Sequence, residues 1–259
     1  MFKIVTFNLR CTWMSGDGAN AFIHRAGMIT EKIDAEKPDV VCFQEAVPQS
    51  YAYLERHLPD YAVQYNGRQE NYDGEGLVIA YRRDRIRLVT LDCFWLSPTP
   101  DVPASRFEEQ SCCPRILQDA LLMDKQTEKL FRVYNNHLDH VSEKARELGM
   151  TAVLKTVAAD QKHVKCPVFL LGDLNAVPTE RCIKLAKQNR WFSLTDLTGD
   201  TGDTFHAFMT HSEPMCKIDY IFTDPETAKL PYQCEMWTDE RNGIYLSDHY
   251  PVCVCIENN

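Results

Sequence analysis

No run of about 18 consecutive apolar residues occurs in this chain of 259 residues, which argues against a membrane-spanning helix. Met1 leads at once into Phe2-Lys3-Ile4-Val5-Thr6-Phe7, a strand-like segment where a secretory leader would place a basic segment, an apolar stretch and a small-residue cleavage site. A cytoplasmic protein is therefore expected. Also missing are a Pro/Gly/Ser-rich linker, a low-complexity tract and an internal repeat. Residues 1–259 are accordingly read as one domain of ordinary composition, 44% hydrophobic and 25% charged. The cysteines lack the paired C-x-x-C spacing of zinc and redox sites, and their odd number, 11, forbids complete intramolecular pairing. Free thiols in a reducing compartment are expected. There is no Lys/Arg-rich tail, and the net charge of −9 offers no general attraction to polyanions. The one dense basic patch, Arg82-Arg83-Asp84-Arg85-Ile86-Arg87, reads as a solvated turn between two strands rather than a phosphate contact.

What the chain does contain is an interleaved series of strand and helix patterns. Runs rich in Val, Ile, Leu, Phe and Tyr predict strands at 2–7, 39–44, 76–81, 86–95, 116–123, 130–136, 167–171, 217–222 and 251–256. Helices are predicted at about 20–36, 48–57, 142–162 and 179–189. The third places Ala145, Leu148, Ala152, Thr156 and Ala159 on one face for packing against a sheet. Ser142 and Thr179 are the expected N-caps, and Pro38 and Pro167 mark re-entry into strand. Strands 76–81 and 86–95, and likewise 116–123 and 130–136, read as antiparallel hairpins. Hairpins mixed with helical crossovers predict an α/β (α+β) fold with mixed sheets flanked by helices, not a doubly wound parallel sheet.

Short polar motifs close the apolar runs: Phe7-Asn8, Phe43-Gln44-Glu45, Asn136-His137-Leu138-Asp139-His140, Gly172-Asp173-Leu174-Asn175, Lys217-Ile218-Asp219-Tyr220 and Ser247-Asp248-His249. A side chain that follows a buried strand emerges at a rigid edge facing water, so one shared site is the economical reading. Carboxylates, amides and imidazoles together suit a hard divalent cation and phosphate chemistry.

In this order the motifs resemble those of the endonuclease/exonuclease/phosphatase superfamily, which includes pancreatic-type deoxyribonuclease, exonuclease III, deadenylases, neutral sphingomyelinases and inositol polyphosphate 5-phosphatases. Thr6-Phe7-Asn8 is similar to the family's opening strand and asparagine, and Gln44-Glu45 to its metal-binding pair. Gly172-Asp173-Leu174-Asn175 resembles its "GDFN", with Leu for the commoner Phe, Ile218-Asp219-Tyr220 its late aspartate, and Ser247-Asp248-His249 its closing "SDH". Phe94-Trp95-Leu96-Ser97, the Asn136 to His140 segment and Thr204-Phe205-His206 also resemble a bacterial subgroup. The resemblance implies a four-layer sandwich with two central sheets and outer helices.

Each motif residue also has its own chemical reason. Mg²⁺ (or Mn²⁺) takes about six oxygen ligands, of which one or two carboxylates suffice. Glu45 is the leading ligand candidate, with Asn8 at the metal site orienting it or a metal-bound water and Asp248 closing the same side. In-line attack on phosphorus needs an aimed, deprotonated water and neutralised equatorial charge. Asp173 is the expected base and Asn175 a partner for the water or a phosphate oxygen. His249 is the expected donor to a non-bridging oxygen, with Asp219 fixing its tautomer and favouring its cation. The family resemblance pairs His137 with Glu75, to contact phosphate or protonate the leaving oxygen. Arg10 and Arg115 are candidate phosphate clamps that read equally well as ion pairs. Asp139, His140 and His206 are candidate pocket residues that read equally well as loop caps.

A divalent-metal phosphoesterase is the leading expectation. A non-catalytic binding protein on the same fold would tend to lack Asp173, Asn175, Asp248 or His249, and a hydrolase of another bond would favour zinc-type His and Cys spacings. The acidic balance favours a small phosphodiester or phosphomonoester over a polynucleotide, with a nuclease as the alternative and no obligate protein partner evident.

Overall fold

The computed structural model describes every residue except 14, 211, 212, 258 and 259. In order the chain forms β1 (Phe2–Asn8), α1 (Phe22–Glu36), β2 (Val40–Ala46), α2 (Pro48–His57), β3 (Tyr61–Gly67), β4 (Gly76–Arg82), β5 (Ile86–Trp95), β6 (Ile116–Asp124), β7 (Leu130–His137), α3 (Glu143–His163) and β8 (Val168–Asp173). There follow α4 (Arg181–Lys187), β9 (Thr195–Asp196), β10 (Asp219–Thr223), β11 (Tyr232–Met236), β12 (Glu240–Arg241), β13 (Ile244–Tyr245) and β14 (Val252–Ile256). Two six-stranded mixed sheets result, ordered β11-β14-β1-β2-β4-β3 and β5-β6-β7-β8-β10-β9. Only β1 with β2 and β7 with β8 pair parallel in them.

The two-residue period of a strand explains the layers. Ile4, Val40, Cys42 and Ile79 of the first sheet meet Ala120, Val133, Phe169 and Leu171 of the second in a core between the sheets. Their neighbours Val5, Val41, Phe43 and Val78 point outward onto Ile29 and Ile33 of α1 and Leu54 of α2. On the other flank Leu117, Tyr134, Leu170 and Tyr220 pack on Met150, Val153, Leu154 and Val157 of α3 and Ile183 of α4. Four layers, helix on sheet on sheet on helix, are the outcome. Central strands buried on both faces read mainly as apolar runs, and the polar residues that β6 and β7 do carry, Gln118, Asp119, Arg132 and Asn135, are hydrogen-bonded. Each such side chain removed from water contributes about 1.5–3 kcal/mol.

Several local expectations need correction. β4 and β5 are not a hairpin: β4 bonds to β2 and β3 in one sheet, and β5 to β6 in the other. The short turn between them crosses from sheet to sheet, held by ion pairs of Arg85 with Asp39 at 2.8 Å and Asp124 at 3.3 Å. The basic patch at 82–87 is thus largely a structural corner. The buried stripe of α3 runs through Ala145, Gly149, Met150, Val153, Leu154 and Val157, rotated from the expected face because the larger side chains face the sheet. Ser142 does cap it, accepting from the Ala145 amide at 3.1 Å. Thr179 does not cap α4, whose N-cap is Glu180. Strands β3 and β11 were not foreseen, since half-exposed edge strands carry no continuous apolar run. All eleven cysteines are free thiols, and among the described residues no helix is long and apolar enough to cross a membrane.

Candidate active site

Registry brings the strand ends together. Asp173 closes β8 opposite His137 in the parallel β7 pairing and opposite Asp219 in the antiparallel β10 pairing. Gly172 can only be glycine here. Its φ is 149°, and a Cβ would run into the Asn136 carbonyl of the neighbouring strand. On the other sheet Asn8 ends β1 beside Gln44 of β2, and the ladder shifts register between Phe43 and Ala46. Glu45 sits in that bulge with φ 54°, so its carboxylate is turned towards the end of β1.

Asn8 joins the two sheets at this edge, its Nδ2 donating to Glu45 at 3.1 Å and to Asp173 at 3.0 Å. Its Oδ1 accepts from the Arg10 amide at 2.9 Å. Asn8 therefore orients both carboxylates. Asp173 also accepts from the Asn175 amide at 2.8 Å and has His137 Nε2 at 3.4 Å and His249 Nε2 at 3.8 Å. Burial, with the Asp219 charge added, pushes its pKa up to about 7 against the opposing pull of His249.

His249 Nδ1 lies 2.8 Å from Asp219 Oδ2, an oxygen that also accepts from Thr204 Oγ1 at 2.6 Å. Burial alone would lower the imidazole pKa, but Asp219, Asp173 and Asp248 outweigh it and carry it up to about 10. The ring is cationic at neutral pH with Nε2 facing Asp173. His137 has the opposite character: burial and the charges of Arg115 and Arg68 hold it well below the ordinary histidine value, so it stays neutral. Glu75 is 3.7 Å from its Nδ1.

Among the described residues two groups of side chains come into question as metal ligands. Asp173, Asp219 and His249 offer ligand atoms within 4.8 Å of one another, yet a cationic His249 committed to Asp219 is a donor, not a ligand. Glu45 and Asp248 form the second set. Burial alone would raise the pKa of Glu45, but hydrogen bonds from Asn8 and the Cys11 amide and the charge of His249 hold it below the usual value. Burial raises that of Asp248, offset in part by His249 and Arg10. The Cys11 thiol beside Glu45 is kept protonated by burial and by the Glu45 and Glu75 charges, so the two carboxylates make a hard-oxygen set, the kind Mg²⁺ and Mn²⁺ take.

The remaining candidates divide. Arg10 pairs with Asp17 at 3.1 Å and with Asp248 at 3.4 Å, so it already balances charge at the site. Arg115 touches His140 Nδ1 at 3.1 Å and lies 3.8 Å from Glu75. Asp139 is a loop cap: its carboxylate accepts from Ser111, from the Val141 amide at 3.0 Å and from the Ser142 amide at 2.7 Å. His206 stacks on Tyr250 at 4.0 Å between ring centroids, and its amide donates to the Asp248 carbonyl, so it supports that loop. Sequence reasoning passed over Arg68, which grips Glu75 with both terminal nitrogens, and Cys11, whose thiol donates to Glu75 at 3.3 Å. Arg68 stands in a polar loop with nothing local to mark it.

The kinship of the chain agrees with this geometry. A structure from Bacteroides vulgatus, described as an endonuclease/exonuclease/phosphatase, superposes with a TM-score of 0.90 at 27% identity, covering 100% of this chain and 99% of that one. The Bacteroides thetaiotaomicron mannosyl-6-phosphatase superposes with a TM-score of 0.84 at 25% identity over 100% of both chains. An uncharacterised protein of Acanthamoeba polyphaga mimivirus is 24% identical over 253 residues, 90% of this chain and 91% of that protein. The sequence model of one family matches residues 5–249, nearly the whole length. The chain belongs to the Endonuclease/Exonuclease/phosphatase family.

Proposed function

We propose that this protein is a divalent-metal-dependent phosphoesterase, a single catalytic domain spanning residues 1–259 that hydrolyses a small phosphate ester by in-line attack of water. The observation that carries the reading is the contrast at one point in space. Asp173, a carboxylate with pKa about 7, faces a neutral His137 at 3.4 Å and a cationic His249 at 3.8 Å. A base poised near neutrality beside a fixed cation is what water attack on an anionic phosphorus centre requires.

Asp173 takes the proton of the attacking water. Asn175, whose Nδ2 is tied to the Leu138 carbonyl at 3.1 Å, keeps its side-chain oxygen free to accept the second proton of that water and so aim it. His249 donates from Nε2 to a non-bridging phosphate oxygen, and Asp219, bound to Nδ1, keeps the ring cationic and oriented. His137, neutral and with its one N–H on Nε2, donates a hydrogen bond to the phosphate, while Glu75, 3.7 Å from Nδ1, is held by Arg68 and Cys11. Mg²⁺ or Mn²⁺ would be held by Glu45 and Asp248, with Asn8 orienting Glu45, and would supply charge neutralisation at the phosphate oxygens.

A small substrate is favoured by the net charge of −9 over these 259 residues. Similarity to a mannosyl-6-phosphatase supports a substrate of about that size. The test is hydrolysis of 4-nitrophenyl esters and of an oligonucleotide at fixed Mg²⁺ from low to moderate salt. Chelator-sensitive turnover of the small ester with a shallow salt dependence is expected. Preference for the oligonucleotide with a steep salt slope makes the enzyme a nuclease instead.

A further inference from the structure

Of the eleven free thiols Cys112 alone is exposed; the others are buried or half-buried. Its neighbour Cys113 is half-buried, and the two Sγ atoms lie 4.0 Å apart. Cys253 and Cys255, also close in sequence, have no such access, because Cys253 is 1% exposed. Burial raises the pKa of Cys113 against the opposing charges of Arg68 and Arg115, so Cys112 is the thiol that meets a reagent first. The pair lies in a link anchored to the site at both ends. On one side Ser111 donates to Asp139 from its hydroxyl and, at 3.2 Å, from its amide, while the other oxygen of Asp139 holds the Val141 and Ser142 amides. On the other side Arg115 touches His140 Nδ1 at 3.1 Å, and its carbonyl accepts from the Leu96 amide at 2.7 Å. Only Cys112, Cys113 and Pro114 separate the two anchors. Adjacent Cα atoms across a trans peptide are about 3.8 Å apart, whereas an ordinary disulfide spans about 4.4–6.8 Å, so a bond between these sulfurs strains the link and is easily reduced again.

We propose that Cys112 and Cys113 are a reversible redox site whose oxidation lowers turnover by drawing Ser111 and Arg115 away from Asp139 and His140. The oxidant is a low-molecular-weight disulfide. The Cys112 thiolate attacks one of its sulfurs, which forms a mixed disulfide and releases one thiol. Cys113 then attacks the Cys112 sulfur, releasing the second thiol and closing the internal disulfide. Two electrons pass from the protein dithiol to the reagent, and both protons leave on the two released thiols. The effect on turnover rests on the phosphoesterase reading; the thiol chemistry does not.

The probe is oxidised glutathione, applied to the whole protein with Mg²⁺ and followed by peptide mass mapping. The peptide that holds both cysteines is expected to lose two hydrogens. Turnover of a 4-nitrophenyl ester is expected to fall at least about tenfold, a modest share of what an ångström of misplacement near a reacting centre costs, and dithiothreitol is expected to restore it. Cys113→Ser should stop at one glutathione on Cys112, and Cys112→Ser should keep the turnover of the reduced protein and resist the reagent. Faster hydrogen exchange at the Val141 and Ser142 amides of the oxidised protein is the sign of coupling that needs no substrate. A stable glutathione adduct on Cys112 of the unaltered protein, or disulfide-linked dimers in place of the internal bond, overturns the site. With the internal bond formed, unchanged turnover or unchanged exchange overturns its coupling to the active site. A reduced protein that turns over no ester removes the phosphoesterase reading instead, and hydrogen exchange then decides the coupling alone.

Discussion

If Asp219 serves the reaction only by holding His249, its removal must cost nothing once the His249 donor is gone. The pair is isolated enough to test, because Asp219 is 2% exposed and its Oδ2 is shared between His249 Nδ1 at 2.8 Å and Thr204 Oγ1 at 2.6 Å. His249→Asn is the informative change. Its amide nitrogen takes the place of Nδ1 and still donates to Asp219, avoiding the roughly 1–3 kcal/mol cost of an unsatisfied buried oxygen. The Nε2 donor facing Asp173 is lost. Removing one preorganised donor to developing negative charge costs about 10²–10³ in turnover, or about 2.7–4 kcal/mol, and that is the fall expected for His249→Asn. Asp219→Asn keeps the Thr204 bond but removes the charge that keeps the imidazole cationic, so at least about a tenfold loss is expected near neutral pH. The double variant should match His249→Asn within about threefold. Initial rates on a 4-nitrophenyl ester at saturating Mg²⁺, with melting curves to confirm folding, give the four corners of the cycle. If the double variant falls by the product of the two single losses, Asp219 acts independently of His249 and its positioning role is wrong.

Metal dependence follows from the oxygen donor set. Chelator should abolish turnover, and Glu45→Gln and Asp248→Asn should each raise the Mg²⁺ concentration for half-activity at least about tenfold, read by metal titration; full activity in excess chelator refutes it. For the metal-free protein the sign of the His249 linkage is set by a folded pKa of about 10 above the ordinary 6.5. The stability it contributes is complete below about 6.5 and is lost as pH rises through about 10. Urea midpoints should therefore show Asp219→Asn destabilised between pH 7 and 9 and the gap narrowing towards pH 10.5, and a gap constant with pH contradicts the assignment. Gly172→Ala should destabilise by more than about 2 kcal/mol in urea titration, because its Cβ meets the Asn136 backbone rather than a movable side chain. A variant as stable as the parent means that the two strands separate more easily than the geometry implies.

The layered fold was legible because its cause is local. A strand buried on both faces is mostly apolar, and where such a run stops the chain meets water, so Asn8, His137 and Asp173 stand out as strand ends. Which strands bond is not a local property. β4 and β5 are joined by so short a turn that a hairpin looks inevitable, yet both edges of β4 are taken by β2 and β3. The same distinction runs through the site. Asp139 and Asp173 each follow an apolar strand and look alike in sequence. Asp139 became a cap because Ser111, 28 residues away, and the two amides ahead of α3 saturate it. Asp173 became a candidate base because its neighbours, delivered by β1, β7 and β10, are an amide, a neutral imidazole and a second carboxylate that raises its pKa. Arg68 had no signal of its own: Trp95 Nε1 anchors its carbonyl at 2.7 Å, and its partner Glu75 lies across the turn that opens β4. Residue type and strand position narrow the field to carboxylates, amides and imidazoles at one edge. The role of each is set by which donors and charges the two sheets bring within about 4 Å of it, and those come from parts of the chain as distant as Arg10 and Asp248.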